Sequence, residues 1–485
     1  MPERTLAQEL AIFADRTRSE GVPLKVAHSV RQRILDIIGL SLAARALDTS
    51  EAVLSFVADQ GGVAQAHVIG SADALPASQA AFANGVLAHS LDYDDTHLPS
   101  VLHPSACVVP AALAAAEAAN APDELLIRAI AVGLEIAVRL GMAGYDKELG
   151  NSVFFEHGQH ATSICGAMGG AVAAGLLLGL DTEQLTDVLG VAASMASGII
   201  EGNRTGGTVK RMHCGWAAHS ALVAADLVKR GITGPPTVLE GRFGFFQAFL
   251  KGRVDLDQIT SDLGLAWSVP DIFFKPYPAN HFTHTSVDAG LALHRRGVRP
   301  EDIVAIRLGL PTAVIRTVGE PIEAKRQPQT GYQAQFSGPF AVVAGLLGGG
   351  GGLGMGLSDY SAEKAQDPER RRLMSLVEVV PDPDCDEVFP YQFPAVVTVT
   401  LADGRTETEE VLTNRGGPAR PLSDAELGVK FANCCAGRFS DAEIRDLSAR
   451  VLSLGSPSPG APPSSLTALM KCLSEASSMT LANPA

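Results

Sequence analysis

Aromatic side chains are scarce in this 485-residue chain, at 5% of the residues with only 2 Trp and 6 Tyr. A core with so few rings must be filled by aliphatic and small side chains, and the abundant Ala and Gly point to closely packed helices rather than sheets. Positive charge is short as well. The 38 Lys and Arg face 53 Asp and Glu, a formal net charge of −15, which argues against nucleic acid or an anionic membrane as the main partner. Paired cysteine motifs are absent: the seven cysteines (Cys107, Cys165, Cys214, Cys385, Cys434, Cys435 and Cys472) form an odd, scattered set with no CxxC. Reduced thiols are expected, and an iron–sulfur hydratase lacks its thiolates. The chain has neither GxxxxGK[ST] nor GxSxG, which excludes P-loop and α/β-hydrolase readings, and it has no internal repeat.

Apolar leaders are missing too. "MPERTLAQEL" opens with charges, so a cytoplasmic location is the expectation. The longest uncharged stretch, "ATSICGAMGGAVAAGLLLGL" (161–180), is long enough to span a bilayer. Its small residues and the lack of flanking Trp, Tyr or basic residues suit a buried helix better.

What is present reads mostly as helix. In "VPLKVAHSVRQRILDIIGLSLAARAL" the residues Val26, Val30, Ile34, Ile37, Ile38 and Leu42 recur at three- and four-residue spacing, which predicts an amphipathic helix. Further helices are expected in "ALPASQAAFANGVLAHS" and at 105–119, 123–144, 161–178, 184–199 and 215–230. Near Pro270 the pattern changes. "IVAIRLGL", "SLVEVVP" and "AVVTVTL…TETEEVL" are β-branched or alternating, and Asp403–Gly404 is a hairpin signal. "LSDAELGVKFANCCAG" and "SDAEIRDLSARVLSL" each open on a Ser-x-x-Glu capping box. The expected class is therefore mainly α: a large all-helical domain with an inserted smaller α+β domain. The expected boundaries are 1–268 (helical, first part), 269–415 (α+β), 416–454 (helical return) and 455–485 (flexible linker and tail).

Five stretches hold most of the suggestive polar residues. "LDYDDTHLPSVLHPSACVVP" (91–110) carries Asp92, Asp94, Asp95, Thr96, His97 and His103, and "FFEHGQHATS" carries Glu156, His157 and His160. "NRTGGTVKRMHCGWAAHS" carries Asn203, Arg204, Thr205, Lys210, Arg211 and His213. "FFKPYPANHFTH" has Lys275, Tyr277, His281 and His284, and "GYQAQFSGPF" has Tyr332, Gln335 and Ser337. Taken singly, an Asp or Thr at a helix boundary is most often a cap, and a His among apolar residues is usually a satisfied core group. Their gathering at the ends of several apolar segments is where catalytic groups tend to lie. Two HxxH pairs, His157/His160 and His281/His284, lack the i,i+4 spacing of zinc helices, so no metal site is expected. The run "LLGGGGGLGMG" matches GxGxxG at Gly349, Gly351 and Gly354, but it follows a helix-like segment rather than a strand, a poor nucleotide signal. What remains is proton-transfer chemistry on a small anion, with Lys and Arg neutralising carboxylates and His or Asp moving the proton.

The stretches "RILDIIGLSLAA", "ANGVLAHSLDYDDTH…HPSACVVPAALA", "VKRMHCGWAAHSALVAADL", "FKPYPANHFTHTSVDA" and "AQFSGPFAV" together resemble the MmgE/PrpD family, in order over about residues 5 to 450. That family includes 2-methylcitrate dehydratase, cis-aconitate decarboxylase and iminodisuccinate epimerase. The resemblance implies an all-helical domain, an α+β lid, a homodimer and no metal or organic cofactor. It implies a lyase (dehydratase or decarboxylase) of a small anionic di- or tricarboxylate, with an epimerase as the alternative. A metabolite-binding protein that has lost the chemistry is the alternative of another class. Carried over motif by motif, it assigns catalytic roles to His103, Asp92, Lys210 and His160, and substrate contacts to Thr96, His213, Lys275 and His284. The chain departs from the family's frequent KPYPSCR pattern at Ala279, Asn280 and His281, and it has Ala161 where a proline commonly follows the histidine. Both departures point to a substrate other than the best-studied ones.

Overall fold

The structure is a computed structural model that describes residues 4–72, 74–202, 207–456 and 465–475. It divides into two units, Met1–Ile272 with Cys434–Ala485, and Phe273–Asn433. The protein is mainly helical, with few strands.

The first unit is built on helices α1 (Leu6–Glu20), α2 (Leu24–Ala44), α3 (Asp48–Gln60), α4 (Ala77–His89), α5 (Ser105–Ala119), α6 (Asp123–Ala143), α7 (Ala161–Leu177), α8 (Thr182–Ala193) and α9 (Val209–Lys229). Helix α1 starts on a capping box in which Thr5 and Gln8 exchange side-chain and backbone bonds. The uncharged stretch is α7, and every one of its residues is buried. Among the described residues no helix is long and apolar enough to cross a membrane.

Small residues decide how the helices meet. A Cβ on Gly85 of α4 would lie 2.7 Å from the Gly215 Cα of α9, and one on Gly169 of α7 would strike the Gly133 carbonyl of α6. These glycines are needed for close approach of backbones, not for turn geometry. Helix α8 ends at Ala193 rather than 199, and α9 begins at Val209, earlier than the 215 expected from the apolar pattern. The first turns of α9 are polar, with Lys210 and Arg211, so hydrophobic periodicity alone starts the helix too late.

The second unit holds a four-stranded sheet, order β2-β1-β3-β4, with β1 Ile303–Leu310, β2 Val377–Pro381, β3 Ala395–Leu401 and β4 Thr406–Val411. Strand β1 runs parallel to β2 and antiparallel to β3, placing Leu308 opposite Val379 on one side and Val397 on the other. Gly404 turns the β3–β4 hairpin at φ 85°, a left-handed value that suits glycine. Helices α10 (His284–Arg295) and α11 (Gly338–Leu346) share the core with the sheet through residues such as Val287, Leu308, Val343 and Val397.

The composition suggested a return to the helical part at 416, but the chain rejoins the first unit at Cys434. Leu422 and Leu427 pack on Phe274 within the second unit, which keeps that segment there. Both Ser-x-x-Glu boxes form, Ser423 with Glu426 and Ser440 with Glu443. In the first unit the helix begun by the latter, α13 (Asp441–Ser453), ends under Arg31 of α2, whose Nε donates to the Leu454 carbonyl at 2.7 Å. The helix Asp424–Cys435 precedes it as α12. Much of the segment taken as linker and tail, 457–464 and 476–485, lies outside the described residues.

Candidate active site

The acidic stretch after α4 is buried, not solvated: Asp92, Asp94, Asp95 and Thr96 are each 5% exposed or less. Three carboxylates in so small a volume are tolerable only if each is paired. Each of the three takes its own cation from a different helix. Asp92 meets Lys210 of α9, Oδ1 to Nζ 3.4 Å. Asp94 meets His89, the last residue of α4, Oδ2 to Nδ1 2.8 Å. Asp95 meets Arg33 of α2, Oδ2 to Nη1 2.6 Å. Asp92 itself sits at φ 52° and Val101 at φ 54°, a left-handed region that is costly for a β-branched residue such as Val101.

Arg33 does more than neutralise. Its Nη2 donates to the carbonyls of Val269 at 3.0 Å and Ile272 at 2.7 Å, tying α2 to the end of the first unit's long segment. Asp95 also accepts from the Ser105 backbone N–H at 3.2 Å and from the Ser105 hydroxyl, at the start of α5. Burial pushes the Asp95 carboxyl up, and Arg33 and Ser105 oppose it.

His103 is fixed by the same loop. Its Nδ1 donates to the Asp95 carbonyl oxygen at 2.7 Å and lies 3.3 Å from the Thr96 hydroxyl, and its backbone N–H donates to Thr162 Oγ1 at 3.1 Å. A carbonyl only accepts, so the neutral ring carries its proton on Nδ1 and its lone pair on Nε2.

His160, the residue preceding α7, and His213 of α9 share a hydrogen bond between their Nδ1 atoms at 3.0 Å, which requires one to donate and the other to accept. Burial first, then the His89 and Lys210 cations, hold His213 down to about 4, and the same causes hold His160 well below its usual value. The rings run on continuously: His89 to His103 is 5.4 Å between centroids, His89 to His160 5.8 Å, and His160 to His213 5.0 Å.

Asp92, Thr96, His103, His160, Lys210 and His213, expected from separate stretches of sequence, thus meet in the first unit. Asn203, Arg204 and Thr205, singled out beside them, lie outside the described residues. His157 stands apart, its Nδ1 3.3 Å from the Phe249 carbonyl. His89, Arg33 and the roles of Asp94 and Asp95 were not expected. The available signal for His89 was its place at the end of an otherwise apolar helix, five residues before Asp94.

Lys275 and His284 belong to the second unit. Lys275 is 1% exposed. His284 donates from Nε2 to the Ala279 carbonyl at 3.1 Å and lies 5.3 Å, ring to ring, from Tyr277. His281, at one of the departures from the family pattern, lies 4.5 Å, ring to ring, from His284 at a tilt of 34° and is flanked by Phe273 and Phe393. Asn280 accepts the Phe282 N–H at 3.0 Å and so acts as a cap. Ser337 and Gln335 are structural: Ser337 caps α11 through the Phe340 N–H, and Gln335 Nε2 donates to the Pro278 carbonyl at 2.9 Å. The glycine run wraps Asp359, which accepts from Gly351 and Gly356 N–H groups at 2.9 and 2.8 Å, and it follows α11 rather than a strand. No group of three or more His, Cys, Asp or Glu among the described residues is placed to hold a metal ion.

Comparison with known proteins agrees in both halves of the chain. Residues 8–257 match the MmgE/PrpD N-terminal domain and residues 277–454 the MmgE/PrpD C-terminal domain. A cis-aconitate decarboxylase of Homo sapiens is 31% identical over 370 residues, covering 74% of this chain and 72% of that one. That of Mus musculus is 29% identical over 408 residues, 83% and 80% of the two chains. One from Aspergillus terreus is 26% identical over 467 residues, 92% of each. The chain belongs to the MmgE/PrpD family.

Proposed function

We propose that this protein is a cofactor-independent lyase that decarboxylates a small unsaturated tricarboxylate of the cis-aconitate type. The relatives named as cis-aconitate decarboxylases support the reaction class. The observation that carries the reading is His103: its Nδ1–H is committed to the Asp95 carbonyl, which leaves Nε2 as the proton-transfer atom in a buried cluster that also holds Lys210. The bond to one carboxylate breaks and releases carbon dioxide. Its electron pair is delocalised through the double bond into the remaining unsaturated carboxylate. Carbon takes its proton from Nε2 of His103, which has picked that proton up from solvent on binding the anionic substrate, with Asp92 assisting.

Negative charge grows on the retained carboxylate during this step, so fixed cations and N–H donors lower the barrier more than they lower the ground state. Lys210 supplies that charge, and the neutral His160–His213 pair supplies hydrogen bonds without adding a proton to the site. Thr96 orients the His103 ring in this reading. Incubating the protein with cis-aconitate in deuterated water tests it by NMR. Release of carbon dioxide with one deuteron bound at carbon is expected. A hydrated product would turn the reading to a hydro-lyase, and deuterium exchange without a new constitutional product to an epimerase. Thermal stabilisation by polycarboxylates with no turnover of any would overturn the enzyme reading in favour of a binding protein.

A further inference from the structure

We propose that His89 and Asp94 form a standing buried ion pair whose positive end sets the charge state of the His160 and His213 rings, making His89 a positioning residue of the proton-transfer centre. Its role in turnover rests on the function proposed above; the ion pair and its effect on the neighbouring rings do not.

The geometry is specific. The His89 and Asp94 side chains are 1% and 0% exposed, and their Nδ1 and Oδ2 are 2.8 Å apart. His89 closes α4, where the unsatisfied carbonyl end of the helix favours an imidazolium. Burial opposes that charge, but Asp94 outweighs it and raises His89 to about 10. Burial holds the Cys214 thiol well up, so it faces His89 as a neutral group.

The other groups around His89 are the rings of His103 before α5 and His160 before α7. Beyond His160 lie His213 and Lys210 on α9. Arg33 of α2 is taken up by Asp95, and Lys210 by Asp92. His89 is thus, besides burial and the Lys210 ammonium, a charge against which a second proton on His160, 5.8 Å away, must be placed. At an effective dielectric of about 20 that repulsion corresponds to at most about two pKa units, less what the Asp94 carboxylate beside His89 offsets. The Asp94 carboxylate keeps His89 itself from being the ring that gives its proton away.

This predicts which ring does what. The substrate should meet a neutral His160–His213 pair, and a positive charge that does not leave during turnover. The same arrangement explains why a third aspartate is present in a stretch where Asp92 and Asp95 already have other partners.

The test is a histidine ring titration by 15N NMR on the full chain, for wild type, His89→Gln, Asp94→Asn and Asp94→Glu. The rings of His160 and His213 should titrate about one to two units higher in His89→Gln and in Asp94→Asn. Asp94→Glu, which keeps the anion, should return them towards wild type, a rescue that a purely structural role would not give. Circular dichroism and Tm establish which variants fold, and should His89→Gln not fold, the isosteric Asp94→Asn carries the test. Unmoved His160 and His213 titrations in a folded variant would overturn the proposal. The acid limb of kcat/KM for cis-aconitate should move up together with the ring titrations. A wild-type protein inactive on every polycarboxylate, with the ring shifts as stated, would refute the proposed function and leave the ion pair standing.

Discussion

Replacing Arg33 by methionine removes one guanidinium and strands three acceptors at once: the Asp95 carboxylate and the carbonyls of Val269 and Ile272. Both side chains of the ion pair are 1% exposed, so water cannot substitute for what is lost. Breaking a buried pair by deleting one partner costs about 3–5 kcal/mol, because the remaining charge stays buried without compensation. With a urea m-value of about 3 kcal/mol/M, the midpoint should fall by about 1 to 1.7 M.

The protein supplies its own probe. Both of its 2 tryptophans, Trp216 and Trp267, belong to the first unit. Trp267 packs on Phe13 at 5.4 Å, two residues before the Val269 carbonyl that Arg33 binds. Tryptophan fluorescence therefore follows the unit that contains the pair. Adding Asp95→Asn to Arg33→Met should recover part of the loss, since the stranded carboxylate is then neutral. A midpoint shift below about 0.3 M, or no recovery in the double variant, would refute the argument that the charge, rather than side-chain volume, is what Arg33 contributes.

Other outcomes follow from the same geometry. His103→Gln should lower kcat on the true substrate by roughly 10²–10⁴-fold at little cost in Tm; near-wild-type turnover would remove His103 from the chemistry. Lys210→Ala should raise KM and flatten the salt dependence of binding, measured by kinetics across ionic strength, because a part-buried cation facing carboxylates is still partly screened by salt. Activity should survive exhaustive EDTA treatment, and stoichiometric zinc or iron with activity lost on its removal would revive the HxxH reading. His97 and His213 are both held down to about 4, so the unfolded chain takes up protons that the folded one refuses between about pH 4 and 6.5. His89, raised to about 10, stabilises the fold fully below its unfolded value, and that contribution is lost as pH rises through about 10. Stability measured against pH should therefore climb to about 6.5 and decline above it, His97 and His213 each contributing about 3 kcal/mol and His89 at most about 5 kcal/mol.

The sequence by itself determined where most elements lie and which residues were candidates for the chemistry. Period 3.6 in 24–44 and β-branched alternation in 303–310 and 395–401 are local patterns, and the observed elements lie on them. The capping boxes at Ser423 and Ser440 depend on residues three apart, which a single sequence displays fully. The stretch Asp92–His103 stood out as a candidate because its polar residues are too dense for a simple cap.

Only the tertiary structure decided how the charges are shared. Asp92, Asp94 and Asp95 are neighbours in the chain, yet their partners come from positions 210, 89 and 33. No local pattern links them, because each pairing depends on which helix face the packing brings to the loop. Arg33 sits in an amphipathic helix where an arginine ordinarily belongs on the solvated face, and its burial is legible only once Val269, Ile272 and Asp95 surround it. His89 was hidden for the same reason: a histidine at the end of an apolar helix is commonly a satisfied core group, and it becomes a candidate cation only when Asp94 folds back to 2.8 Å from its ring.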